Sequence, residues 1–232
     1  MRKAAGAARA TGAQKAKPAA KLVMKPAPQQ RNAEMTRATI LAAAEVLFTA
    51  HGFAGTSMRD IAVSADVHQS LIHHYFGTKQ GLWQAVIGGY VDAYLARQAP
   101  QLDAAKPDAK TLPRALETEF RFWLEQPNLL RLQNWALLEG GNPAGEARDA
   151  LYAPFMPVMQ SLQRAGFIRS DIEPFHALVM AAAAVGFWIQ NRDEMAAALK
   201  QSDAQRQAAD ERFLGDMLKV FFAGGLTQKQ KG

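Results

Sequence analysis

From residue 34 onward the apolar residues of this chain recur at helical spacing almost without a break, and no stretch alternates as a half-buried strand would. A sheet is therefore excluded and an all-α fold expected. The first helix spans roughly 34–51, with Ile40, Ala44, Leu47 and Phe48 on one stripe and Gly52 placed as its C-terminal cap. Two short helices follow, Ser57–Ser64 and about Gln69–Phe76, with a break around Asp66-Val67. Ser57 and Asp60 have capping-box spacing. Thr78 can cap a long fourth helix from Lys79 to about Gln98, and five more are expected at 111–125, 127–139, 143–165, 172–190 and 205–223. Pro127, the 139–143 loop and the stretch from Gly166 to Pro174 separate them.

Charge divides the chain more sharply than hydropathy does. Residues 1–33 hold eight Lys/Arg and no acid, leaving 19 basic against 21 acidic side chains in the rest. That basic, Ala- and Pro-rich stretch without aromatics is expected to be a disordered tail. Either a solvated extension or an arm attracted to a polyanion such as DNA fits it. Residues 34–98 then form a first unit, the polar 99–112 stretch a linker, 113–226 a second unit and 227–232 a short tail. The chain has no cysteine, which excludes disulfides, thiolate metal sites and a cysteine nucleophile. Its longest apolar run, Ala177 to Ile189, has 13 residues, too few to cross a bilayer. A cytoplasmic protein with no membrane partner is the expectation.

Two short helices joined by a turn and flanked closely by others have the geometry of a helix-turn-helix, with Gln69–Phe76 as the helix for a major groove. Ile72 and Phe76 face inward, while Gln69, Ser70, His73 and His74 lie on or near the outer face and can hydrogen bond to base edges. The three histidines of DVHQSLIHHYFGTK do not make a metal site. His68 precedes the helix, and His73 and His74 diverge by about 100°. No acid stands at zinc-binding spacing, and neither a nucleophile elbow nor a phosphate-cradling loop is present, so no enzyme and no cofactor are expected.

Residues 34–82 resemble the DNA-binding domain of the TetR family of bacterial transcriptional regulators. The resemblance lies in an amphipathic helix ending in HGF, then GTSMRDIAVSADV, the helix closing in Tyr75-Phe76, and Thr78-Lys79 and Leu82. It implies base contacts from Arg59, Gln69, Ser70 and His73, and phosphate contacts from Thr56, Ser57, His74, Tyr75 and Lys79. The chain departs from the family pattern at Asp66 in place of a turn glycine, at His68 in place of a serine cap, and at His73 in place of a frequent tyrosine.

The resemblance also implies that the second unit binds a small effector and forms a homodimer. For the effector the large or adaptable residues are Phe120, Trp123, Trp135, Tyr152 and Phe155, with Met156, Met159 and Met180. Gln133, Asn134 and His176 can supply polar contacts. Dimerisation is assigned to Leu178, Ala182 and Val185 on one helix and Phe213, Met217 and Phe221 on the last. Gly88-Gly89, inside the helix that links the units, is either a soft point or a site of close packing. The expected function is ligand-responsive regulation, as a repressor on a palindromic operator. The alternative is an architectural DNA-binding protein without effector.

Overall fold

The computed structural model describes residues 28–139 and 152–221, and among them there are nine α-helices and no strand. They are α1 (Pro28–His51), α2 (Met58–Ser64), α3 (Gln69–Phe76), α4 (Lys79–Gln98), α5 (Thr111–Glu125), α6 (Pro127–Leu138), α7 (Met156–Arg164), α8 (Pro174–Ala198) and α9 (Asp203–Val220). Short 3-10 turns follow α4 at Ala99–Gln101 and precede α7 at Ala153–Phe155.

The ends of the helices follow from local chemistry. Ser57 and Asp60 form a complete capping box at the start of α2, and Ser202 and Gln205 form a second at α9. Thr78 caps α4 by accepting from the Gly81 amide at 3.0 Å. Gly52 closes α1 with a φ of +73°, and a Cβ there would also collide with the Glu139 carboxylate and the Trp135 ring.

Several expected boundaries are corrected. Residues 28–33 belong to α1 rather than to the basic tail, whose residues 1–27 lie outside the described residues. Within the expected helix 143–165, the described residues show a 3-10 turn at Ala153–Phe155 and an α-helix from Met156, with Pro154 and Pro157 in the first turn of each. Residues 143–151 and 227–232 lie outside the described residues. α8 continues to Ala198, eight residues past its expected end, along a polar stretch.

The expected division into two units does not appear as two separate cores. Ile40, Phe48, Ile61, Ile72, Leu82 and Trp83 pack the first four helices, and the same cluster runs on through Tyr94, Phe122, Leu129, Leu132 and Phe155. α6 lies against α1, and even the 99–112 stretch is anchored, since Leu102, Ala104 and Leu112 pack against Val158, Leu162 and Ile168.

Candidate DNA interface and buried cavity

The turn between α2 and α3 needs one residue in the left-handed region, and Asp66 supplies it with a φ of +52°. His68 caps α3 without a side-chain hydrogen bond. Ile72 is fully buried, and Phe76, beneath the Arg37 guanidinium at 5.2 Å, is half-buried. These contacts turn Arg59, Gln69, Ser70, His73 and His74 outward, all exposed, with Tyr75 half-buried beside His74 at 5.3 Å between ring centroids.

A chain of polar groups runs along the outer edge of α3. The His73 ring donates from Nδ1 to the Gly77 carbonyl at 2.7 Å, which leaves Nε2 beside the Gln69 amide at 3.3 Å. Both ring nitrogens thus have neighbours in α3 and its C-terminal cap. Among the described residues no group of three metal-ligating side chains converges.

Three residues of the expected phosphate set have hydrogen-bond partners within the chain. Thr56 is 3% exposed and gives its hydroxyl to the Gly52 carbonyl at 2.8 Å, so its side chain fastens the end of α1. Ser57 is exposed, but its hydroxyl donates to Asp60 at 2.6 Å as part of the cap. That bond holds the Asp60 carboxyl below the usual range, so a negative charge stands beside Ser57. Lys79 turns inward: its ammonium donates to the carbonyls of Phe53 at 2.6 Å and Thr56 at 2.8 Å and lies 4.4 Å from the Phe53 ring centroid.

Behind this unit lies a cavity of about 280 Å³. α4 contributes Trp83, Ile87, Tyr90, Val91 and Tyr94, and α5 contributes Glu119, Phe122 and Trp123. α6 adds Leu129, Leu132, Gln133, Ala136 and Leu137, while Tyr152, Phe155 and the α8 residues Leu178, Val179, Ala182 and Ala183 complete the wall. Glu119 is 9% exposed, and desolvation pushes its carboxyl up to about 7 against the opposing effect of a hydrogen bond with Trp123. Two buried polar atoms around the cavities lack a hydrogen-bond partner, Trp83 Nε1 and Gln98 Oε1.

Of the effector residues expected from the sequence, the cavity gathers Trp123, Gln133, Tyr152 and Phe155. Met159 borders a second, smaller cavity of about 50 Å³. The others lie off the walls of both cavities. Phe120 is core between α5, α8 and α9. Trp135 faces α1 and donates to the Thr49 carbonyl at 3.2 Å. Met156 and Asn134 lie off the wall, and His176 and Met180 are exposed on α8. The wall of α4 and the acid Glu119 were missed. An acid on an amphipathic helix gives no sign that it is buried, and the linking helix gave no sign that one of its faces is a wall.

The residues expected at the dimer face mostly have partners within the protomer. Leu178 and Ala182 line the cavity, and Val185 and Met217 are buried within one protomer. Phe213 stacks on Trp188 at 4.3 Å, and Phe221 packs inward. The reason is the Asp210 carboxylate, which accepts from Trp188 Nε1 at 2.8 Å and from Arg192 at 2.6 Å and so turns these faces of α8 and α9 toward each other. The apolar residues left outward on α8 are Phe175, Val179, Met180 and Phe187.

Comparison with known proteins agrees with this arrangement along the chain. Residues 40–86 match the family model of bacterial regulatory proteins, tetR family, and residues 116–217 match the tetracyclin repressor-like C-terminal domain. The HTH-type transcriptional repressor NicS of Pseudomonas putida is 25% identical over 196 residues, which is 81% of this chain and 92% of that protein. The HTH-type transcriptional repressor SCO4008 of Streptomyces coelicolor is 28% identical over 162 residues, 68% of this chain and 80% of its own. The transcriptional regulator SCO4942 of Streptomyces coelicolor shares the fold, with a TM-score of 0.61 at 23% identity over 80% of this chain and 97% of that one. No described helix is long and apolar enough to cross a membrane. The chain belongs to the TetR family of DNA-binding transcriptional regulators, which are not enzymes.

Proposed function

We propose that this regulator is a repressor that binds a palindromic operator as a homodimer and leaves it when a small molecule fills the cavity. The observation that carries the reading is the double engagement of α6. One face of α6 lines the cavity, and its other contacts reach α1: Asn128 donates to Glu45 at 2.8 Å, and Trp135 and Glu139 hold Thr49 and Ala54. Tyr90, on the cavity wall of α4, donates to the same Glu45 oxygen at 2.6 Å. A ligand that displaces α6 or α4 therefore pulls on α1 and so on the helix-turn-helix packed against it. Ligand and operator would then favour different spacings of the two DNA-binding units, a population shift.

In the complex, Arg59, Gln69, Ser70 and His73 meet base edges, and His74 and Tyr75 meet the backbone. Thr56, Ser57 and Lys79 act as the frame that holds α2 and α4 in register. The exposed apolar face of α8, with Met180 and Phe187 at its centre, meets the same face of a second copy. A twofold pair of reading helices matches a palindrome.

The test is selection of bound DNA from a random pool, followed by a ligand screen for release. The reading expects an enriched palindrome bound at least a thousandfold more tightly than random DNA. Failure to enrich any sequence would favour an architectural role instead.

A further inference from the structure

Resting on the reading of the cavity as the effector site, we propose that its ligand is an organic cation: a protonated amine or quaternary ammonium held at Glu119, with an apolar, flat body lying among the rings. Three observations lead there. Among the described residues that line the cavity, Glu119 alone carries a formal charge, with no described Lys, Arg, His or Asp on the wall. Nor does any ion pair of the described residues involve Glu119, although that side chain is 9% exposed. The third observation is the wall itself, built from Trp83, Tyr90, Tyr94, Phe122, Trp123 and Phe155.

The energetics select among ligand classes. A buried carboxyl without a cationic partner is costly in its ionised form, and here only a hydrogen bond with Trp123 favours that form. An organic cation supplies the missing charge and is at the same time attracted to the negative faces of the surrounding rings. An anionic ligand would meet the Glu119 carboxylate with no cation among the described wall residues to balance it. A neutral apolar ligand would fill the cavity and leave the acid unused. The volume of about 280 Å³ sits just below the usual span for ligand sites and limits the body to roughly a small bicycle.

Binding of a cation requires Glu119 to be ionised, so it expels a proton from that site. Among the described residues the other titratable groups on the wall are the phenols of Tyr94, which lies near the Glu119 charge, and of Tyr152 and Tyr90. Burial and the nearby Glu119 charge hold the Tyr94 hydroxyl above its ordinary range, so it stays neutral and does not share the titration. Affinity for a permanent cation should therefore rise with pH through about 7 and level off above it.

Three probes of nearly one shape separate the classes: 1-methylquinolinium, its neutral isostere 1-methylnaphthalene, and 1-naphthoate. Each is titrated into the full chain by equilibrium dialysis at pH 6 and pH 8, with the wild type and with Glu119→Gln. At pH 8 the wild type should bind the cation at least tenfold more tightly than the isostere, and this ratio should shrink several-fold at pH 6. In Glu119→Gln the ratio should fall to about one, with continued binding of 1-methylnaphthalene as the control that the cavity is folded. Wild-type protein that binds the isostere or the naphthoate as tightly as the cation overturns the proposal, as does a Glu119→Gln variant that keeps the preference. If 1-methylnaphthalene binds and releases DNA without any preference for charge, the cation assignment falls and the regulatory reading stands. If none of the three binds, the effector cavity itself falls with it.

Discussion

Lys79 illustrates how one side chain can carry a meaning opposite to the one its position implies. A lysine at the N-terminus of a helix beside a DNA-reading motif invites a phosphate, yet its ammonium already serves two carbonyls of the 53–56 loop. Replacing it by methionine keeps the stem and removes both charge-assisted bonds. Lys79→Met should cost about 2 kcal/mol of stability in urea denaturation. As a frame residue it should leave the salt slope of DNA binding nearly unchanged, whereas loss of a phosphate contact would reduce that slope by about one. Glu119 gives a second test at this scale. Between the ordinary carboxylate range and about 7, the folded chain holds a proton that the unfolded chain has lost, so stability falls as pH rises through that window. Glutamine has no proton to lose. The stability of Glu119→Gln relative to wild type should thus improve by about 2–3 kcal/mol between pH 5 and pH 8, and a gap independent of pH would contradict the burial of the acid. Neither role was legible in the sequence, because each depends on what distant parts of the chain bring around the side chain.

At the scale of elements, much more could be read. α5 and α6 begin at Thr111 and Pro127 where proline and periodicity place them, and the capping serine of α2 announces itself three residues before its acid. What failed were the ends without punctuation. α1 reaches back to Pro28 through residues whose basic, polar character resembles a tail, and α8 runs on to Ala198 through polar residues that resemble a loop. The Gly88-Gly89 pair in α4 belongs at this scale. A Cβ added at either position meets nothing within 4 Å, so close packing does not explain the pair. Gly88→Ala/Gly89→Ala should raise stability by about 1 kcal/mol per site. Since α4 carries both the cavity wall and the start of the link to α1, a stiffer α4 should also weaken ligand-induced release of operator DNA. Full release by the double variant, measured by fluorescence anisotropy of labelled operator, would remove the pair from the transmission path.

For the whole molecule, the decisive fact is that the helix-turn-helix and the cavity share one continuous core. Tyr94 and Phe122 meet edge to face at 5.2 Å across the expected boundary, and Phe155 joins the same cluster. A polar stretch at 99–112 marks a boundary in sequence, but the three-dimensional return of α6 onto α1, which joins the two parts, leaves no local trace there. The outward face of α8 was hidden from the sequence for a related reason. Periodicity distinguishes an apolar stripe from a polar one, but α8 and α9 are apolar on more than one side, and only the Asp210 bonds with Trp188 and Arg192 decide which side turns inward. What remains outward is Phe187 at 68% exposed and Met180 at 46%, a face costly to leave in water. Charges placed there should separate the protomers without disturbing either core: Met180→Glu/Phe187→Glu should sediment as a monomer with its helical circular dichroism and melting cooperativity retained. Because each protomer would then meet the operator alone, affinity for the full palindrome should drop toward that for a half-site, at least a hundredfold. A variant that remains dimeric would move the interface elsewhere on the helical surface.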